Sequence, residues 1–174
     1  ITLDAYISGA AGVVGDKEKK GPLGECFDLH DESDRFGADT WEGAESEMQR
    51  LAFNSALAKK EMRFEDVGAI FAGDLLNQCT GSTYGLRQYN LPFLGLYGAC
   101  STMAESLAVA SLFADSGVGE YCAAITSSHF CSAERQFRLP LEYGGQRSPT
   151  AQWTATAAGA AILSRSGKGP RITH

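Results

Sequence analysis

"YGACSTMAES", residues 97–106, decides how this chain folds. Tyr97, Gly98 and Ala99 close an apolar run, and from Cys100 onward the spacing is helical, so a strand turns abruptly into a helix. The small residues permit a tight turn, and the first helical turn leaves backbone N–H groups without partners. A thiol at Cys100 then sits at the positive end of the helix dipole, which favours a thiolate or a bound anion. Nucleophile and anion-binding contact are both open on this geometry.

Outward from the turn, apolar runs alternate with helical patterns. "LPFLGLYGA", residues 91–99, reads as a buried strand with Pro92 near its start, where a missing ladder donor does least harm. The helix that follows places Met103, Leu107, Ala108 and Leu112 on one face and ends at Gly117. Upstream, "VGAIFAGDLL" is apolar on successive residues, the mark of a strand buried on both faces. "EYCAAITSSH" and "TATAAGAAILS" read as further strands. Residues 39–60 read as an amphipathic helix, with Asp39 and Glu42 spaced as a capping box and Trp41, Ala44, Met48, Leu51, Ala52 and Leu57 at helical spacing. Residues 75–88 read as a helix weakened by Gly81 and Gly85. Strands alternating with helices predict an α/β fold with a parallel sheet.

Residues 130–153 lack clear periodicity and carry arginines and aromatics. A loop of that length inside a compact domain is functional or disordered, and its composition favours function.

The 174 residues suit one domain, and 15 basic against 21 acidic residues give a net charge of −6. That balance argues against nucleic acid or an anionic membrane as partner. Five cysteines, with no C-x-x-C pair and no histidine at ligand spacing, fit free thiols in a reducing compartment, with no metal site and no disulfide framework. No run approaches the roughly 18 apolar residues of a membrane span, and nothing reads as a signal peptide, so a soluble polypeptide is expected.

Acyl transfer by Cys100 would need a base beside it and donors for an oxyanion. His129, at the end of a strand, is the candidate base. In an open parallel sheet, ligands gather beyond the C-terminal strand ends, so Cys100 and His129 would share a crevice. The alternative for His129 is a hydrogen-bonded structural role. Lys17, Lys19 and Lys20 form the one dense basic cluster, "DKEKKGPLG", which reads either as a solvated loop or as an anion contact. It lacks the Lys-Ser/Thr of a phosphate loop.

The strand, elbow cysteine and helix resemble the N-terminal half of the thiolase and ketosynthase III fold. "KEKKGPLG", "GDLLNQ", "PFLGLYGACST", "TSSHF" and "AERQFRLPLEYGGQ" narrow the resemblance to the thiolase-like stage V sporulation protein AD family. The resemblance implies an α/β fold with a mixed, mostly parallel sheet covered by helices, and makes residues 1–174 a single half-domain whose C-terminal mate lies outside the chain. It implies no cofactor and a non-catalytic protein that binds dipicolinic acid, alone or with calcium, within the sporulation uptake machinery. The expected setting is cytoplasmic, as a homodimer held at the spore inner membrane through other SpoVA subunits. Dipicolinate is a flat aromatic dianion, so its site needs donors at both ends and an apolar wall. The expected contacts are Cys100, Ser101 and Thr102 at the helix start, His129, Lys17, Lys19 or Lys20, and Arg135 or Arg138, the last also able to pair with Glu134. Ser101-Thr102-Met103 after the cysteine departs from the small residue and glycine of the enzymes. The alternative is a thiolase-like or ketosynthase III-like acyl-transfer enzyme with Cys100 as nucleophile.

Overall fold

The computed structural model describes residues 3–137 and 154–173, with the backbone alone for 134–137. In chain order the elements are β1 (Ala5–Gly15), α1 (Asp16–Lys19), β2 (Leu29–Asp31), α2 (Trp41–Lys60), β3 (Val67–Gly73), α3 (Thr80–Leu86), β4 (Phe93–Gly95), α4 (Thr102–Ser116), β5 (Tyr121–Ser128), α5 (Phe130–Phe137), β6 (Ala157–Ser164) and β7 (Arg171–Ile172). The strands form one sheet in the order β2-β1-β6-β5-β3-β4, with β7 paired to β1. β2, β1, β5, β3 and β4 run one way, and β6 and β7 run against them. The sheet is therefore mixed and mostly parallel.

The continuous apolar runs follow from burial on both faces. In β5, Ala123 and Ile125 pack toward α2 with Met48, Phe53 and Ile162. Their neighbours Cys122 and Ala124 face the other way, with Phe71, Ala110, Ala114 and Leu163 beneath α4. The period of two along a strand assigns one set to each layer.

Helix α2 starts one residue later than the Asp39 spacing predicts, because Thr40 is the cap: its Oγ1 accepts from the Gly43 N–H at 3.0 Å. The helix in residues 75–88 shortens to Thr80–Leu86 and a following single turn of 3₁₀ helix. Helix α4 ends at Gly117 with φ +76°, a conformation that suits glycine. Its buried face is not the predicted one. Thr102, Ser106, Ala110 and Ala114 are buried, whereas Leu112 is 45% exposed. Small side chains bring the helix close to the sheet, and the larger ones flank the contact.

Two strands also differ from expectation. β4 is three residues at the sheet edge, with Leu94 41% exposed, because β3 covers one side of it alone. Pro92 sits where expected, its carbonyl accepting from the Ile70 N–H at 2.8 Å. β1, eleven residues long, is announced by no sequence pattern. The unstructured reading of residues 130–153 gives way to α5 at its start, and residues 138–153 lie outside the described residues.

Candidate functional site

The turn between β4 and α4 is built by its own side chains. Ser101 Oγ donates to the Gly98 carbonyl at 2.7 Å. Thr102 Oγ1 donates to the Ala99 carbonyl at 2.8 Å and accepts from the Gly98 N–H at 3.2 Å. Ala99 adopts φ +49°, an unusual value for a residue with a Cβ, and the kink leaves Cys100 exposed. Gly73, at the end of β3, makes the close approach possible: a Cβ there would overlap the Leu96 carbonyl and lie 2.6 Å from Thr102 Cγ2.

Cys100 lines a cavity of about 640 Å³ at the C-terminal strand ends, where ligands gather in sheets of this kind. Gly12 and Val14 of β1 and Thr126–Ser128 of β5 form its floor, together with the first residues of β6. Phe27, Leu75 and Met103 supply apolar walls. Thr126 Oγ1 donates to the Gly73 carbonyl at 3.1 Å, while the Ser128 Oγ is buried without a hydrogen-bond partner among the described residues. Among the described residues, no charged side chain lines this cavity.

The other predicted site residues are placed differently. Ser101 and Thr102 adjoin Cys100, but their hydroxyls serve the turn, and Thr102 is buried. His129 is fully buried and does not line the cavity. Its Nδ1 accepts from the Cys131 N–H at 3.1 Å, which leaves Nε2 to donate to the Asp34 carbonyl at 2.8 Å. The ring rests against Trp41 at a centroid distance of 5.3 Å, and the Arg35 guanidinium covers Trp41 at 3.6 Å. The base beside Cys100 is therefore not supplied by His129, whose two nitrogens are both committed. Lys19 pairs with Glu25 at 2.9 Å and Lys20 with Asp16 at 2.6 Å, and Lys17 is engaged as well. None of the three lysines lines the cavity. Arg135 lies on α5 where only the backbone is described, and Arg138 lies outside the described residues.

Beneath the floor, on the α2 side of the sheet, is a buried polar network that no local pattern suggests. Glu45 of α2 accepts from Ser127 Oγ at 2.9 Å and Ser132 Oγ at 2.6 Å. Gln49 Nε2 donates to Ser127 Oγ at 2.8 Å and Ser82 Oγ at 2.9 Å. Asp74 accepts from Ser82 Oγ at 2.6 Å and from the N–H groups of Leu76 and Ser82 at 2.8 and 2.7 Å. Burial raises Glu45 to a pKa of about 7, with Asp74 adding to the rise and the two serine hydroxyls opposing it.

A family model described as Stage V sporulation protein AD (SpoVAD) matches residues 1–174. The chain belongs to the SpoVAD family. Stage V sporulation protein AD of Bacillus subtilis (strain 168) is 42% identical over 168 residues, covering 97% of this chain and 50% of the relative. The chain thus spans about half the length of the curated SpoVAD relative that it matches.

Solved structures place the SpoVAD chain among ketosynthase-like folds. The 3-oxoacyl-[acyl-carrier-protein] synthase III of Aquifex aeolicus VF5 superposes with a TM-score of 0.64 at 17% identity, over 94% of this chain and 55% of that one. A single-residue variant of OleA from Xanthomonas campestris, bound with cerulenin, gives 0.65 at 16% identity, over 99% and 61%. At these identities the likeness is one of fold. Sequence reasoning found the elbow of this SpoVAD chain because the signal there is local. It missed Phe27, Thr126 and Ser128 on the cavity wall and Glu45 behind it, which only the sheet brings together.

Proposed function

We propose that this chain carries the dipicolinate-binding cavity of a SpoVAD-family protein, and that the full-length protein is a non-catalytic component of the machinery loading dipicolinate into the developing spore. One observation carries the reading: a cavity of about 640 Å³ at the strand ends, mostly apolar, with the start of α4 at its rim. Phe27, Leu75 and Met103 suit the face of an aromatic ring. The N–H groups of Ser101 and Thr102 are spent on the Gly98 and Ala99 carbonyls, so the donor that suits one carboxylate is the Ser128 hydroxyl, which has no partner among the described residues. The second carboxylate would draw on Lys17, Lys19, Lys20, Arg135 or Arg138, and a lysine would have to exchange its present partner for the ligand. Calcium as a companion ion, homodimerisation and attachment to the inner membrane through other SpoVA subunits belong to the same proposal. No helix among the described residues is long and apolar enough to cross a membrane.

The second reading, acyl transfer by Cys100, is favoured by the exposed thiol in the cavity and by the ketosynthase-like fold. Against it stand the commitment of His129 elsewhere and the use of both neighbouring hydroxyls in the turn. Calorimetric titration of the full-length protein with dipicolinate and, separately, acetyl-coenzyme A divides the two. Saturable dipicolinate binding with a silent coenzyme trace supports the binding role. A thioester mass on Cys100 after incubation with acetyl-coenzyme A, without dipicolinate binding, supports the enzyme.

A further inference from the structure

We infer that Glu45, behind the cavity floor, is the proton-linked group of the site: it holds a proton when the cavity holds an anion, so anion binding is linked to proton uptake at this one carboxyl. The inference rests on the proposed binding function and adds its regulation.

The geometry carries it. Glu45 and Asp74 are both buried, and among the described residues neither has a cationic partner. They flank one glycine, since a Cβ on Gly81 would lie 3.2 Å from Glu45 Cγ and 3.3 Å from Asp74 Cγ. Burial and the nearby charge of Asp74 both disfavour the ionised form of Glu45. Asp74 accepts from three donors, two of them backbone N–H groups. Glu45 has two hydroxyls and takes the proton.

The hydroxyls also let the charge change in place. An ionised Glu45 receives a hydrogen from Ser127 and another from Ser132. A neutral Glu45 donates to Ser132 Oγ, which then turns its own hydrogen to the His129 carbonyl 3.1 Å away. No heavy atom need move. Of the titratable groups around Glu45, Asp74 comes from the end of β3, Glu42 from its own helix and His129 from the start of α5. β5 and α3 present serines and Gly81.

Ser127 joins this network to the cavity. Its side chain meets Glu45 on the α2 face, while its neighbours Thr126 and Ser128 point to the opposite face and, with Ser127, line the cavity. Glu45 is therefore one strand away from a bound ligand, in a low-dielectric interior where charges are weakly screened. An anion there disfavours ionised Glu45. Affinity is highest while Glu45 is neutral and falls as pH rises past its titration in the free protein, which lies near 7.

The test is calorimetric titration of the full-length protein with dipicolinate between pH 6 and pH 9, using wild type, E45Q and S132A. Wild-type affinity should fall on the order of tenfold, the ratio produced when a pKa moves by about one on binding. E45Q should bind with a flat profile. S132A, lacking a donor to the ionised form, should move the wild-type midpoint to higher pH. Repeating the wild-type titration near pH 7 in two buffers of different ionisation enthalpy should show net proton uptake, a readout that holds even if E45Q fails to fold. Parallel profiles for wild type and E45Q, or no proton uptake, would overturn the linkage while leaving the binding function standing. Absence of dipicolinate binding by the wild type at every pH would remove both.

Discussion

His129 Nε2 donates to the carbonyl of Asp34 across 2.8 Å, and that bond ties the end of β5 to the loop before α2. Asp34 passes the restraint on, because its Oδ1 accepts from the Asp16 N–H at 2.8 Å and so caps the lysine-bearing α1. Of the roles that sequence alone offers His129, a base, a ligand donor or a hydrogen-bonded structural residue, the contacts match the last: it positions two loops.

Replacing His129 with alanine should therefore act first on stability. The change strands the Asp34 carbonyl, leaves the Cys131 N–H unpaired and opens space against Trp41, which together should cost about 2 to 4 kcal/mol. Urea unfolding of the full-length protein would measure it. A variant as stable as the wild type would mean that the bond to Asp34 bears no weight.

Gly73→Ala should be at least as damaging. The new methyl would collide with the Leu96 carbonyl, which is backbone, and with Thr102 Cγ2, whose hydroxyl is tied to the turn. Overpacking of this kind costs about 1 to 3 kcal/mol or more. Because the displaced atoms shape the turn carrying Cys100, dipicolinate affinity should fall together with the melting temperature. A stable G73A protein with unchanged affinity would show that the turn can shift without affecting the cavity.

These outcomes depend on contacts of different range, and that range explains what the sequence reveals. The start of α4 is legible at residues 97–106 because glycine, alanine and small polar residues crowd one turn. The extent of α2 is legible because Ala44, Met48, Ala52 and Leu57 repeat at helical spacing. β1 is hidden by Gly9, Gly12 and Gly15, poor strand formers tolerated because α2, Phe27 and the Asp34 and Thr156 side chains, in that order, approach this strand closely. The buried face of α4 is hidden because serines and alanines make the close contact. Glu45 looks like a surface residue in its own window, and the hydroxyls that hold it come from 82 and 87 residues away. Lys19 and Lys20 stand out by charge, yet Glu25 and Asp16 in the same stretch are the groups that pair with them.

Thiol chemistry should separate the five cysteines. Cys26 and Cys100 are exposed, whereas Cys79 and Cys122 are buried, and burial pushes the Cys122 thiol up to about 11. Brief treatment of the full-length protein with iodoacetamide near pH 8, followed by peptide mass mapping, should label Cys26 and Cys100 first and Cys122 last. Saturating dipicolinate should protect Cys100 and leave Cys26 labelling unchanged. Equal labelling of Cys100 with and without the ligand would place dipicolinate away from this rim.

Stability itself should carry the signature of Glu45. Its folded pKa of about 7 lies above the ordinary value of 4.5, so the folded state binds the extra proton between these two values. The stabilisation is fully present below about pH 4.5 and is lost as pH rises through 7, which makes its contribution fall by roughly 3 kcal/mol across that interval. Glutamine keeps the size and the hydrogen-bonding capacity but cannot ionise. The difference in unfolding free energy between E45Q and wild type, measured in urea at pH 5, 6, 7 and 8, should therefore move in favour of E45Q as pH rises and level off above pH 7. A difference that stays constant with pH would mean that Glu45 is ionised throughout, with its charge already neutralised by the surrounding hydroxyls.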